Sequence, residues 1–269
     1  MPTMDSQRVP VQFAPSAMRI LILGGTTEAS ELAMLIAGDP RFDATMSLAG
    51  RTNTPRPQPL RTRVGGFGGA AALAQWLRDE KIEAVIDATH PYADQISANA
   101  VSASKATGVP LASIMRPPWI RQAGDDWQSV ASARAAAHAI GDRSRRVFLS
   151  LGRLELGAFT AAPQHRYLAR SVDHPKGIVL PPDIRVLLAR GPFAIAAETD
   201  LLRNEKIEVL VSKNSGGEAI YAKIAAARAL GIRVLMIERP EKAIGHAVAS
   251  ADHAVTWLLH DASRSLRGV

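Results

Sequence analysis

The chain has 269 residues, a formal net charge of +7 and an apolar fraction of 47%. That length and apolar content suffice for one large or two small units with a real core. The lack of cysteine excludes disulfides, thiolate metal sites and cysteine nucleophiles, and no run of about 18 apolar residues is present to cross a membrane.

Residues 1–17 are rich in Pro, Ser and Gln and lack the apolar core of a signal peptide, so a disordered extension is expected there. A strand is predicted at 18–23, followed by the turn in ILILGGTTEASELA, 20–33. Gly24 and Gly25 let a backbone approach a ligand closely, and Thr26 or Thr27 can cap the helix that follows, near 28–38. Glu28 falls in its first turn, where negative charge is favourable. Such a turn suits a phosphate; its alternative is a plain strand-to-helix turn, because the full G-x-G-x-x-G pattern is missing. A second strand, 44–48, ends in SLAGRT, with Ser47, Arg51 and Thr52. Dinucleotide folds that prefer NAD place an acidic residue about here, on the ribose hydroxyls. Arg51 suits the 2′-phosphate of NADP instead, or else is a solvated loop residue.

Residues 51–63 carry three prolines and no helical period, which predicts a mobile loop. A helix is expected near 69–80, and a strand at 83–87 that ends in DATHPYA. Pro91 fits a first helical position, Thr89 or His90 a cap, and Asp87 the ordering of the turn. His90 and Tyr92 can contact a nicotinamide or transfer a proton, though a histidine at a helix start is more often a cap. A helix near 92–106 and a strand at 109–114 follow. Pro117 and Pro118 then break the chain in 115–127.

A second series has strands near 146–150, 166–171, 185–189, 207–211 and 232–237. Its helices lie near 131–140, 153–159, 193–205 and 217–230, with a terminal helix in 243–260. Its turns offer Arg153, Arg170, His174 and Arg190. VSKNSGGEA, 211–219, adds Ser212, Lys213, Asn214, Ser215 and Gly216. Cationic and hydroxyl-bearing turns facing one cleft suit a polycarboxylate, and Lys213 can bind a carboxylate or donate a proton.

Alternating strands and helices predict an α/β fold of two Rossmann-like parallel sheets with a cleft between them. The expected division is an NADP-binding unit, 18–120, and a second unit, 121–269, that carries the C-terminal helix. Strand exchange between the halves is compatible with this pattern. The positive charge admits nucleic acid or an acidic small molecule; scattered arginines and 5% aromatics favour the small molecule. No metal-ligand spacing is present. The Tyr-x-x-x-Lys pair of short-chain reductases is absent as well.

With these segments assembled, the chain resembles the precorrin-6A reductases of cobalamin biosynthesis, the CobK/CbiJ family. The resemblance rests on ILGGTTEA (22–29), AGRT (49–52), DATHPYA (87–93), LGR (151–153), RGPF (190–193) and the block 207–240. It implies a cytoplasmic reductase that passes a hydride from NADPH to a polycarboxylate tetrapyrrole, precorrin-6A, giving precorrin-6B. A branch of the family takes cobalt-precorrin and NADH. By position, Gly24, Gly25, Thr26 and Thr27 would hold the pyrophosphate and Arg51 the 2′-phosphate. Thr89 and His90 would lie near the nicotinamide, and Lys213, Asn214, Ser215 and Gly216 would line the cleft. No nucleic-acid or membrane partner is implied. Monomer and homodimer both remain open, and Lys213, Tyr92, His90, water and the substrate itself are all candidate proton donors.

Overall fold

The computed structural model describes residues 17–50, 52 and 55–262. The expected N-terminal extension and Arg51 therefore lie outside the described residues, apart from residue 17.

Continuous apolar runs form the central strands because parallel sheets are covered on both faces. In β1 (Met18–Leu23) the last four residues are buried. It pairs in parallel with β2 (Phe42–Leu48) on one side and β4 (Ala84–Asp87) on the other. Beyond β2 lies β3 (Arg61–Val64), and beyond β4 lies β5 (Leu111–Ile114). Helices α1 (Thr27–Ile36), α2 (Ala70–Asp79) and α3 (Asp94–Thr107) make the crossovers. On α1, Ala29, Leu32, Ala33 and Ile36 are buried, the i, i+3, i+4, i+7 stripe of a helix lying on a sheet.

The second sheet is centred on β7 (Arg146–Ser150) and β10 (Val209–Lys213). It extends through β8 (Arg166–Ser171) to β9 (Ile184–Leu188), and through β11 (Arg233–Ile237) to β6 (Trp127–Val130). A 3₁₀ segment, Arg153–Ala161, replaces the helix expected near 153–159. Helices α4 (Ala133–Ala139), α5 (Ile195–Asn204) and α6 (Ala222–Ala229) complete this half.

Among the described residues the two six-stranded sheets have the orders β12-β5-β4-β1-β2-β3 and β6-β11-β10-β7-β8-β9. Each reads as the dinucleotide-binding order 3-2-1-4-5-6, with the sixth position filled by β12 in the first sheet and by β6 in the second. The chain leaves β5 and places β6 beside β11. It later leaves β11 and places β12 (His246–Val248) beside β5. Helix α7 (Ala251–Trp257) then packs on α1, and Ala254, Trp257 and Leu258 enter the first core. This corrects the expected division: the C-terminal segment belongs to the first sheet, not to a unit running from 121 to 269.

Three strands lie where none was expected. β3 falls within the expected mobile loop, β6 follows the proline break, and β12 falls within the expected terminal helix. All three are short and sit at sheet edges, where one side is solvated and no apolar run is required.

Candidate functional site

The C-terminal ends of β1, β2, β3 and β4 enclose a cavity of about 150 Å³, lined by Gly24, Ser47, Gly65, Phe67, Thr89 and Asn99 among others. The two glycines after β1 serve different ends. A Cβ on Gly24 would lie 2.2 Å from Met46 Sδ and 3.3 Å from Ala29, so Gly24 lets α1 and β2 close on β1. Gly25 has φ +110° and nothing within 4 Å of a built Cβ, which leaves open space beside the turn. Thr26 caps α1: its Oγ1 accepts from Ala29 N at 3.2 Å and donates to Ala88 O at 2.7 Å. Its hydroxyl is thereby engaged, whereas Thr27 is exposed. Ser47, at the end of β2, accepts from Arg63 Nη1 at 2.9 Å.

Below Thr89 lies a buried polar network. The Asp87 carboxylate accepts from Thr89 N (3.0 Å), Thr89 Oγ1 (2.6 Å) and Ser97 Oγ (2.6 Å). Lys242, from the segment leading to β12, pairs with it at 3.3 Å and also reaches Thr89 Oγ1 at 3.1 Å. A smaller cavity on the other side of Thr89 is lined by Thr26, Glu28, Arg116, Arg239 and Lys242.

The DATHPYA and SKNSGG segments meet. His90 Nδ1 accepts from Tyr92 N at 3.3 Å, which leaves the proton on Nε2, 3.1 Å from Ser215 Oγ. Burial, then Arg116, Lys213, Arg239 and Lys242, push the His90 pKa down to about 3. The ring is therefore neutral at physiological pH. Tyr92 Oη donates to Ile237 O and accepts from Asn214 N at 2.8 Å; burial pushes its pKa up to about 12. Lys213 Nζ lies 4.7 Å from the Tyr92 ring centroid and pairs with Glu155 Oε2 at 2.7 Å. The structure ends β10 at Lys213, so Ser212 and Lys213 are strand residues rather than turn residues. Buried Ser212 donates to Lys213 O.

Asn214 and Gly216 grip the chain rather than opening onto a cleft. Asn214 pairs both ends of its amide with the backbone of Trp119, at 2.8 and 3.0 Å. A Cβ on Gly216, at φ +68°, would lie 2.2 Å from Pro117 O. Arg239 donates to the carbonyls of Asn214, Arg116 and Pro117. Arg116 donates to Ser215 O at 2.7 Å and pairs with Glu28 at 2.9 Å.

The cations expected to hold a substrate separate into two groups. Arg170 makes a buried, two-pronged pair with Glu198, at 2.6 and 3.0 Å, and lies 3.9 Å from the Phe193 ring centroid. It is 8% exposed and is corrected to a core residue. Arg153 opens the 3₁₀ segment, half-buried and with no ion-pair partner among the described residues. Arg190 and His174 are exposed on the loops around β9. Sequence patterns missed Arg63, Arg116, Arg239 and Lys242. Arg63 is on an edge strand without an apolar signature, and the others lie in irregular segments whose partners are distant in sequence.

The sequence matches the family model described as Precorrin-6x reductase CbiJ/CobK over residues 19–259. It is 53% identical over 251 residues to a precorrin-6A reductase of Sinorhizobium sp., covering 92% of this chain and 96% of that one. A precorrin-6A reductase of Rhodobacter capsulatus is 49% identical over 251 residues, covering 93% and 99% respectively. The solved structure of a CobK precorrin-6A reductase is similar with a TM-score of 0.86 and 48% identity, over 94% of this chain and 100% of that one. With a dinucleotide-type strand order, an open glycine turn and matches spanning most of its length, the chain belongs to the precorrin-6x reductase CbiJ/CobK family.

Proposed function

We propose that this protein reduces precorrin-6A to precorrin-6B with NADPH, in the cleft between two Rossmann-like domains built on the two sheets. The observation that carries this reading is the 150 Å³ cavity at the ends of β1–β4, with Gly25 open at its turn. Gly65, which lines the cavity, has φ +121° and is equally unobstructed, so its backbone would admit close approach by a dinucleotide. Gly25, Thr27 and the amides of α1 would hold the pyrophosphate, with Gly24 and Thr26 shaping that turn. Ser47 and Arg51 would meet the adenosine end, and Thr89, which lines both cavities, the nicotinamide end.

When bound, the dihydronicotinamide would supply a hydride for an electrophilic ring carbon conjugated to nitrogen. The chain's own residues orient, exclude water and supply a proton. Leu154, Val172, Leu188 and Ile195 are exposed at the C-terminal edge of the second sheet, an apolar surface suited to a flat macrocycle. Arg153 and Arg190 are placed to meet its carboxylates. Of the three candidate side chains, Lys213, paired with Glu155, is given the donor role. His90 is neutral, with its proton on Nε2 facing Ser215, and Tyr92 donates to Ile237 O with its pKa raised to about 12. His90 and Tyr92 are positioning residues in this reading.

The test is a titration of the purified protein with NADPH and NADH, followed by nicotinamide fluorescence. Preference for NADPH is expected. Preference for NADH would move the protein to the cobalt-precorrin branch, and binding of neither would refute the cofactor site. A Lys213→Met variant should bind NADPH normally and lose turnover by about 10²–10⁴-fold.

A further inference from the structure

Four residues that line the proposed cofactor cavity contact a cation that no carboxylate among the described residues neutralises. Arg63 lies on β3 opposite Ser47. Its Nη1 donates to Ser47 Oγ and Gly65 O, both at 2.9 Å, and its Nη2 to Gly66 O at 3.3 Å. Its guanidinium carbon lies 3.8 Å from the Phe67 ring centroid. Ser47, Gly65, Gly66 and Phe67 all line the cavity. Arg61, two residues earlier on the same face of β3, donates to Thr45 Oγ1 but also pairs with Glu80 at 3.4 Å. Arg63 has no such partner among the described residues: each of its hydrogen-bond acceptors is neutral. Burial lowers its pKa with no carboxylate to offset it.

A guanidinium carries five N–H groups, and three are engaged here, which leaves Nε–H and one Nη2–H for a ligand. A half-buried cation among neutral acceptors is incompletely compensated, and an anion completes it. Position decides which anion. The pyrophosphate belongs to the β1–α1 turn. Arg63 is instead bonded to the end of β2, where dinucleotide folds place the adenosine ribose. We propose that Arg63 is a specificity-determining residue for the 2′-phosphate of NADPH. The proposal rests on the reading of the cavity as a cofactor site.

The experiment is isothermal titration of 2′,5′-ADP and 5′-AMP into the wild-type protein, Arg63→Gln and Arg63→Lys. These probes share the adenosine 5′-phosphate and differ in the 2′-phosphate, so binding is read without turnover. Wild-type protein should prefer 2′,5′-ADP. Arg63→Gln should lose about 10- to 100-fold in affinity for 2′,5′-ADP with affinity for 5′-AMP little changed. Arg63→Lys, which keeps the charge but not the fork, should fall between and controls for a folding defect. Equal losses for both probes in Arg63→Gln, or no loss for either, would overturn the proposal and leave the cofactor site standing. Wild-type protein that binds neither probe, or both equally, would overturn the NADPH reading itself and Arg63 with it.

Discussion

At the residue scale, charge is either buried with its partner or left at the site. The Arg170–Glu198 pair also faces Lys223, fully buried, whose pKa burial and Arg170 push down to about 7. Removing the carboxylate leaves a buried guanidinium without its counterion. Glu198→Gln should therefore cost about 3–5 kcal/mol in urea unfolding, with nucleotide binding intact in the protein that remains folded. Gly216→Ala should cost at least about 2 kcal/mol, because it adds strain at positive φ and a Cβ against Pro117 O. His90 sets a pH dependence. Its folded pKa of about 3 is below the unfolded value near 6.5, so between them the unfolded chain binds the extra proton. The stability contribution is complete above about pH 6.5 and is lost as pH falls toward 3, by on the order of a few kcal/mol. His90→Gln should flatten that acid limb of a stability-against-pH curve. Part will persist, because burial also lowers the pKa of His165.

At the element scale, the central strands were legible because burial on both faces leaves a continuous apolar signature. MRILIL, RVFLS and RVLMI announce themselves as strands. Edge strands carry no such obligation, so RTRV and WQSV read as loop, and HAV vanished into a predicted helix. The glycine turn was legible in kind, but the division of labour between Gly24 and Gly25 depends on Met46, which lies across the sheet. The SKNSGG segment stands out by composition, and part of that composition serves the crossover chain, through Asn214 on Trp119 and Gly216 against Pro117. No local pattern encodes those distant partners. The same lesson governs α7, which reads as an amphipathic tail but closes the first core. Trp257 is 6% exposed there, so Trp257→Ala should cost about 3–5 kcal/mol in urea unfolding. A cost below about 1 kcal/mol would show that α7 is peripheral.

At the scale of the molecule, the placement of β6 and β12 is expected to couple the two sheets into one cooperative unit. Two halves joined by a single linker would each keep their own edge strand and could melt separately. Here β12 and α7 can complete the first sheet only after the chain has passed through β11, and β6 reaches the second sheet only after leaving β5. Ion pairs and hydrogen bonds reinforce the exchange: Glu28 with Arg116, His90 with Ser215, Tyr92 with Ile237 and Asn214, and Lys242 with Asp87. Opening the first sheet therefore withdraws contacts from the second. Calorimetry should give one transition with equal van't Hoff and calorimetric enthalpies. The sharper test combines the Trp257→Ala variant with amide hydrogen exchange. Trp257 belongs to the first core, so with independent sheets the variant would speed exchange in β1 and β4 and leave β7 and β10 protected as before. With the exchanged strands acting as the coupling, protection in β7 and β10 should fall by a similar free energy. The proposed site, with residues from the ends of both sheets, would then have its geometry set by the same cooperative unit that sets its stability.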